Sequence, residues 1–330
     1  MPESCDELYR TKLGRLIVAR SEDYLDHIAS ESIDLVITSP PFALLRQKAY
    51  GNLDQSEYVD WLASFGPAIK RVLKNTGSFV LDLGGAYQRG KPIRSLYNFR
   101  VLLRFCDEHG FHLAEEFFWH NPAKLPSPIE WVNKRKIRVK DSVNTVWWFS
   151  KTENPKADVR NVLVPYSERM KKLIEDPGKF YTPKDRPSGH DISAGFGKDN
   201  GGAMPSNLLQ YPNTESNSPH IRLCKECGID PHPARFPKAL PKFFINYLTE
   251  PGDSVLDLFA GSNTTGEVAE ELGRRWTGIE CDKEYAIGSG FRFMADWSPE
   301  RVKGYVEAAR DGQTMLRIGS DDKQECFANF

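Results

Sequence analysis

The strongest constraint in the sequence is a rhythm. Short and almost uninterrupted apolar runs alternate with stretches whose apolar residues recur at helical spacing: IDLVI at 33–37, SFVLDL at 78–83, VWWF at 146–149 and SVLDLF at 254–259. A strand that is apolar on both faces belongs inside a sheet covered on both sides, and helices between such strands supply the cover. The chain therefore reads as α/β with a parallel sheet. LGRLIVAR, HLAEEFFWH and RWTGIE add further strands, and Trp147 and Trp148 read as core. EYVDWLASFGPAIKRVL, YNFRVLLRFCDEHG, FFINYL, TGEVAEELGRR and YAIGSGFRFM read as helices, and the last 30 residues as peripheral. With 330 residues, 40% hydrophobic and 27% charged, the chain can bury a core without help from disulfides or metals.

The rhythm breaks between 151 and 231, where Pro, Gly, Asn, Lys and Arg accumulate. Val162, Leu163, Tyr166, Phe180 and Tyr181 recur inside that stretch, which favours ordered loops of an inserted recognition region over a linker. Three parts result: 1–150, 151–231 and 232–330. No run approaches the roughly 20 apolar residues of a membrane-spanning helix. The start, MPESCDELYR, is not a signal peptide, so the expected location is cytoplasmic. Six scattered cysteines read as reduced thiols. Cys224 and Cys227 form a CxxC near His220 and His232, but one CxxC with irregular histidines reads as ordinary thiols, and no metal is expected.

Two segments carry chemistry. In the first, the strand SVLDLF ends in the small-residue turn AGSNTTG, which opens a helix, and Glu280 follows 23 residues after Asp257. A tight turn lets a ligand approach backbone amides, and an acid at that distance grips ribose hydroxyls. The G-x-G-x-x-G of pyrophosphate binding is absent, which suits an adenosyl ligand such as S-adenosyl-L-methionine and disfavours a nicotinamide dehydrogenase. Gly261 as a plain strand end, with Glu280 as a solvated acid, fits the same residues. The second segment is Thr38-Ser39-Pro40-Pro41-Phe42, directly after IDLVI, where ligands of open α/β sheets bind. Two prolines stiffen the loop and leave carbonyls free. Ser39 and the Pro40 carbonyl suit an exocyclic amino group, and Phe42 suits the plane of its ring. A rigid turn with a core Phe is the alternative for this segment alone.

Taken together, the two segments resemble the amino-methyltransferases of DNA. Ser39-Pro40-Pro41-Phe42 matches the family's catalytic tetrapeptide, and Asp257-Leu258-Phe259-Ala260-Gly261 matches its cofactor loop. Catalytic motif first, cofactor motif last and a variable region between them is the order of the beta group. Ser at the first position is typical of its cytosine-N4 members. The resemblance also runs through TSPPFALLRQKAYGNL, NPAKLPSPIEWVNKRKIRVKD, FYTPKDRPSGHD and DNGGAMPSNLL, most of the chain.

The resemblance implies a Rossmann-like S-adenosylmethionine-dependent methyltransferase sheet with an inserted target-recognition region. It assigns Ser39, Pro40, Pro41 and Phe42 to catalysis. It assigns Phe236, Pro237, Asp257, Phe259, Gly261, Ser262, Asn263 and Thr264 to the methionine end of S-adenosyl-L-methionine, and Glu280 to the ribose. His232, in the same HPARFP motif, reads as structural. One departure is that Ala19-Arg20 stands where the family has Gly-Asp near the adenine, so Ser21 or Asp23 substitutes or the contact weakens. The implied activity is methylation of cytosine N4 in a duplex site, CAGCTG by the same likeness, within a type II restriction–modification system. The cognate endonuclease would then be a functional partner, and a monomer is the simplest state. N6-adenine methylation and a non-catalytic DNA-binding protein are the alternatives.

A net charge of −1 excludes a polycation but not a local basic face. Lys134, Arg135, Lys136, Arg138 and Lys140 fall within seven positions and read as contacts to the phosphates of double-stranded DNA. Arg186, Ser188, His190, Asp191 and Asn200 offer the donor and acceptor types that read base edges.

Overall fold

The computed structural model of the chain describes residues 6–42, 55–176, 197–215 and 218–319. Its strands are β1 (Asp6–Arg10), β2 (Gly14–Val18), β3 (Ile33–Thr38), β4 (Leu73–Leu83), β5 (His112–His120), β6 (Val143–Ser150), β7 (Leu208–Gln210), β8 (Ser254–Asp257), β9 (Arg275–Glu280) and β10 (Leu316–Arg317). They form one sheet in the order β10-β1-β2-β9-β8-β3-β4-β6-β5-β7. The centre, β2-β9-β8-β3-β4, is parallel throughout.

The flanks depart from the all-parallel expectation. β6 lies antiparallel to both β4 and β5, and β1 antiparallel to β2. The helix Tyr97–Leu103 carries the chain from β4 to β5, which runs in the same direction one place further out. β6 then returns through the gap. The apolar run VWWF is the same in either direction, so the sequence pattern does not report the reversal. Both tryptophans are buried, and Phe149 stacks on Phe79 across the β4–β6 pair.

The C-terminal stretch also departs from expectation. The helix Pro299–Arg310 is capped by Ser298 and buries Val302, Tyr305, Val306 and Ala309, and β10 after it pairs with β1. Tyr9 of β1 meets Tyr305 edge-on and Phe293 at a tilt, so both ends of the chain close one side of the sheet.

The chain divides into two compact units, one of 1–157 with 207–330 and a second of 158–206. Within the second unit, Ser167 caps the helix Glu168–Glu175, and Val164 and Ala203 exchange backbone hydrogen bonds. Asn200 donates its backbone N–H to the Tyr166 hydroxyl. Phe180, Tyr181, Arg186, Ser188, His190 and Asp191 lie outside the described residues.

Candidate active site

Four adjacent strands, β8, β3, β4 and β6, bring their functional residues to one end of the sheet. β3 ends at Thr38, so Ser39-Pro40-Pro41-Phe42 emerges just past its carboxyl end. Asp82 lies one residue before the end of β4, and Asn144 sits near the start of the antiparallel β6, which puts it at the same edge. Ser39 donates its hydroxyl hydrogen to Asp82 Oδ2 at 2.9 Å, and Asn144 Nδ2 donates to Asp82 Oδ1 at 3.1 Å. Asp82 is buried, and burial pushes its carboxyl up to about 6 despite those two hydrogen bonds and the charge of Lys124.

The Phe42 ring lies against Gly84, where an added Cβ would come within 2.6 Å of the ring edge. Only glycine admits the ring at that distance. The Gly84 carbonyl is in turn held by the Tyr97 hydroxyl. Asp82, Asn144 and Gly84 belong to neither sequence motif. The available signal for them is an acid inside the otherwise apolar run SFVLDL, followed by two glycines.

The second cluster surrounds the turn after β8. Gly261 adopts φ +52°, in the left-handed region, and gives its backbone N–H to Glu280 Oε2 at 2.8 Å. Glu280 Oε1 accepts from the Asp282 N–H, so the carboxylate spans the ends of β8 and β9; its burial raises its pKa. Asn263 is also left-handed. Its Oδ1 caps the helix Thr264–Glu271 at Gly266, and its Nδ2 donates to the Tyr9 hydroxyl. Its side chain is thus held inside the fold. Ser262 and Thr264 place their hydroxyls 3.3 Å apart beneath the turn.

Asp257 joins the two clusters. Thr38 Oγ1 donates to its Oδ1 at 2.7 Å, Thr265 Oγ1 to its Oδ2 at 2.6 Å, and the Phe259 N–H also reaches Oδ1. The residue immediately before Ser39 is therefore hydrogen-bonded to the loop expected to hold the cofactor. Phe259 packs its ring against Trp61 and Phe65. Pro237 is buried and Phe236 half-buried just before the helix Ala239–Leu248. His232 Nδ1 faces the Ala234 carbonyl at 2.6 Å. Its ring meets Tyr285 edge-on at 4.6 Å and lies where a Cβ on Gly261 would come within 3.1 Å.

Arg292 is a further residue without a sequence signal. It is buried, donates to both the carbonyl and the hydroxyl of Ser262, and pairs with Glu267 at 2.7 Å and Glu215 at 3.2 Å. At the departure noted above, the Ser21 hydroxyl is buried and donates to the Leu258 carbonyl, while Asp23 is exposed. The Cys224 thiol lies 3.7 Å from His220 Nε2, one helical turn away, and burial drives both towards their neutral forms, His220 to about 3. Among the described residues no three His, Cys, Asp or Glu side chains stand at metal-binding distances.

The donor set fits S-adenosyl-L-methionine. A bare glycine turn, a buried carboxylate spanning two strand ends and a half-buried aromatic ring suit a nucleoside with a hydroxylated ribose and a compact zwitterionic tail. A family model described as DNA methylase matches residues 33–288. The chain belongs to this family.

The type II methyltransferase M.PvuII of Proteus hauseri is 59% identical over 93% of this methylase and 92% of its own length. A solved PvuII DNA methyltransferase, titled cytosine-N4-specific, superposes with a TM-score of 0.78 at 48% identity, covering 94% of this chain and 98% of its own. A putative DNA modification methylase from Thermus thermophilus, solved with S-adenosyl-L-methionine, matches at a TM-score of 0.51 and 18% identity over 94% of this chain and 100% of its own, a likeness of fold alone. The methylase thus has a Rossmann-like α/β sheet, and among the described residues no helix is long and apolar enough to cross a membrane.

On the basic stretch, Lys134 and Arg135 pair with Glu130. Arg138 donates twice to the Pro92 carbonyl, and Lys140 donates to the Pro122 and Lys124 carbonyls. These contacts shape the segment between β5 and β6, and all four basic side chains remain exposed.

Proposed function

We propose that this methylase transfers a methyl group from S-adenosyl-L-methionine to the N4 amino group of a cytosine in duplex DNA, as the modification enzyme of a type II restriction–modification system. The observation that carries the reading is the hydrogen bond from Ser39 to a buried Asp82 beside Phe42 on Gly84. The 59% identity to M.PvuII supports the cytosine-N4 assignment and CAGCTG as the site. The unit 158–206, inside the stretch 151–231, is the part proposed to read that site, with the exposed Lys134, Arg135, Arg138 and Lys140 on the phosphates. A monomer in the cytoplasm, functionally paired with a cognate endonuclease, completes the proposal.

The chemistry follows from a poor nucleophile. The N4 lone pair is delocalised into the ring, so the amino group must pyramidalise as the bond to carbon forms. Ser39 Oγ and the Pro40 carbonyl accept its two hydrogens and favour that geometry. When bound, the cofactor would supply an electrophilic methyl on a sulfonium, and how well the residues around it position the amino group carries much of the rate. The nitrogen then carries a surplus proton. Ser39 takes it while passing its own hydroxyl hydrogen to Asp82, whose carboxyl near 6 is suited to receive it at neutral pH. Asn144 holds the other oxygen and fixes which one faces Ser39. Phe42 supplies a stacking face for a base that has left the helix, a rotation that costs a few kcal/mol.

The test is methyl transfer from labelled S-adenosyl-L-methionine to plasmid DNA, followed by nucleoside digestion and mass spectrometry. N4-methylcytosine with protection of CAGCTG sites from cleavage is expected. N6-methyladenine, or no methylated nucleoside at all, refutes it.

A further inference from the structure

The segment 121–142 between β5 and β6 opens at the catalytic edge, because Thr145 and Val146 of β6 stand opposite Leu83 and Asp82 of β4. Lys124 of this segment is close enough for its charge to act on Asp82. Among the described residues, the two most exposed large hydrophobic side chains are Val139, at 86%, and Leu125, at 80%. Lys140 Nζ reaches the Lys124 carbonyl at 3.4 Å and the Pro122 carbonyl at 3.1 Å, so Leu125 and Val139 each adjoin a residue of one tie.

Well-exposed apolar tips normally belong to loose loops, but this segment is braced. Asp141 pairs with Arg94 and donates its backbone N–H to the Ser127 carbonyl. Arg138 is bound to the Pro92 carbonyl, and the Ile137 N–H to the Trp131 carbonyl. The Arg135 guanidinium lies 5.0 Å from the centroid of the buried Trp131 ring. The tips are therefore held out at fixed positions rather than left free to fold back. The same segment carries Lys124, Lys134, Arg135, Lys136, Arg138 and Lys140, against Glu130 and Asp141. Two copies of such a surface repel one another, whereas a polyanion is attracted to it.

We propose that Leu125 and Val139 are wedge residues that enter the DNA base stack at the place vacated by the target cytosine. This rests on the function proposed above. A base rotated towards Ser39 and Phe42 leaves a gap walled by two apolar base faces, and water fills it poorly. Apolar side chains brought in from the rim of the same site fill it instead, while the flanking lysines and arginines hold the phosphates on either side. Proteins that kink or open duplexes use aliphatic wedges in this way. The two residues act on the opening of the pair, not on the reacting atoms, and so are positioning residues.

The experiment compares the wild type with Leu125→Ala/Val139→Ala on two synthetic duplexes carrying CAGCTG. One is fully paired; in the other the target cytosine faces an abasic position. Both side chains are exposed, so their truncation leaves folding intact, which circular dichroism verifies. On the paired duplex the variant is expected to lose kcat on the order of ten- to hundredfold, the scale of an unstacking cost. On the abasic duplex, where the cytosine is already unpaired, the variant regains most of the wild-type rate. An equal loss on both duplexes assigns the residues to general DNA affinity and overturns the wedge, as does no loss on either. A wild-type dimer that the variant converts to a monomer also overturns it, by making the tips a subunit contact. Absence of N4-methylcytosine with the wild type refutes the function itself, and is read separately from all of these.

Discussion

Asp82→Asn separates a catalytic role for the Ser39–Asp82 pair from a structural one. The amide is isosteric with the carboxylate and can still receive the 3.1 Å hydrogen bond from Asn144 through its oxygen. Its other arm then presents an NH2 to Ser39, which must turn its hydroxyl round to accept. Ser39 keeps its place but has nowhere to pass a proton. Loss of one positioned acid–base group costs about 10²–10⁴ in rate, or ~2.7–5.5 kcal/mol at ~1.36 kcal/mol per decade. Because the group acts only as the new bond forms, kcat and kcat/KM should fall together while DNA affinity is kept.

Stability should move the other way. A carboxyl raised to about 6 binds its proton more tightly in the folded chain than in the unfolded one. Folding stability therefore falls as pH rises from about 4 through 6. The penalty is complete above that window, at ~3 kcal/mol for a change of about a hundredfold in acidity. Asn carries no such penalty, so the variant is expected to be more stable than the wild type at pH 8 and equal to it near pH 4. Rapid-quench transfer of labelled methyl groups at pH 5–8 and urea denaturation at both ends of the range measure the two effects. A variant with kcat within threefold of the wild type, or with its stability change in the opposite sense, sinks the proton-transfer role of Asp82.

Other consequences follow from the same geometry. The wild-type kcat should fall on the acid side with a midpoint near 6, and Asp82→Asn should flatten that limb in the pH profile. Gly84→Ala drives a methyl to 2.6 Å from Phe42, an overpacking of about 1–3 kcal/mol. It should reduce kcat/KM for DNA while leaving cofactor affinity by calorimetry unchanged. Arg292→Gln takes the Arg292 contact from Glu215 and leaves Glu267 to Lys238 alone, and it frees the Ser262 turn. It should destabilise the fold by about 3–5 kcal/mol and raise KM for S-adenosyl-L-methionine more than it lowers kcat; Arg292→Lys should recover part of the stability. Thr38→Val removes a donor from buried Asp257, at about 1.5–3 kcal/mol, and chemical denaturation measures it.

What the sequence makes legible is set by how local each signal is. Strand ends, the Ser39-Pro40-Pro41-Phe42 loop and the Gly261 turn are contiguous in the chain and can be read from it. The reversal of β6 depends on which neighbour it joins, and VWWF carries no trace of that choice. Acids within apolar strands give an intermediate case, since a buried carboxylate almost always has a partner but the sequence does not name it. Asp34 and Asp82 look alike in IDLVI and SFVLDL. Asp34 stands near the start of β3 and is bound by Lys74 at 2.8 Å and the Ser254 N–H, a structural pair at the far edge from the site. Asp82 stands near the end of β4 and faces Ser39. In a parallel sheet the position of an acid along its strand decides between the two, because loops at the carboxyl ends hold ligands and those at the amino ends do not.

The same logic explains why Asp257, assigned by motif to the cofactor, does something the motif cannot express. Both of its oxygens are engaged, one by Thr38 and one by Thr265. The oxygen facing Thr38 also accepts the Phe259 N–H at 3.1 Å. A carboxylate with those three donors has both oxygens engaged within the protein, and burial without them would push it further towards its neutral form. Its effect is to fix the spacing between the residue before Ser39 and the turn that begins around Gly261. Methyl transfer needs that spacing to hold within a fraction of an ångström, since a misplacement of about 1 Å can cost a hundredfold in rate. The acid at 257 therefore ties the end of β3 to the turn after β8 from inside the fold, which is why two motifs at opposite ends of the chain meet at one place.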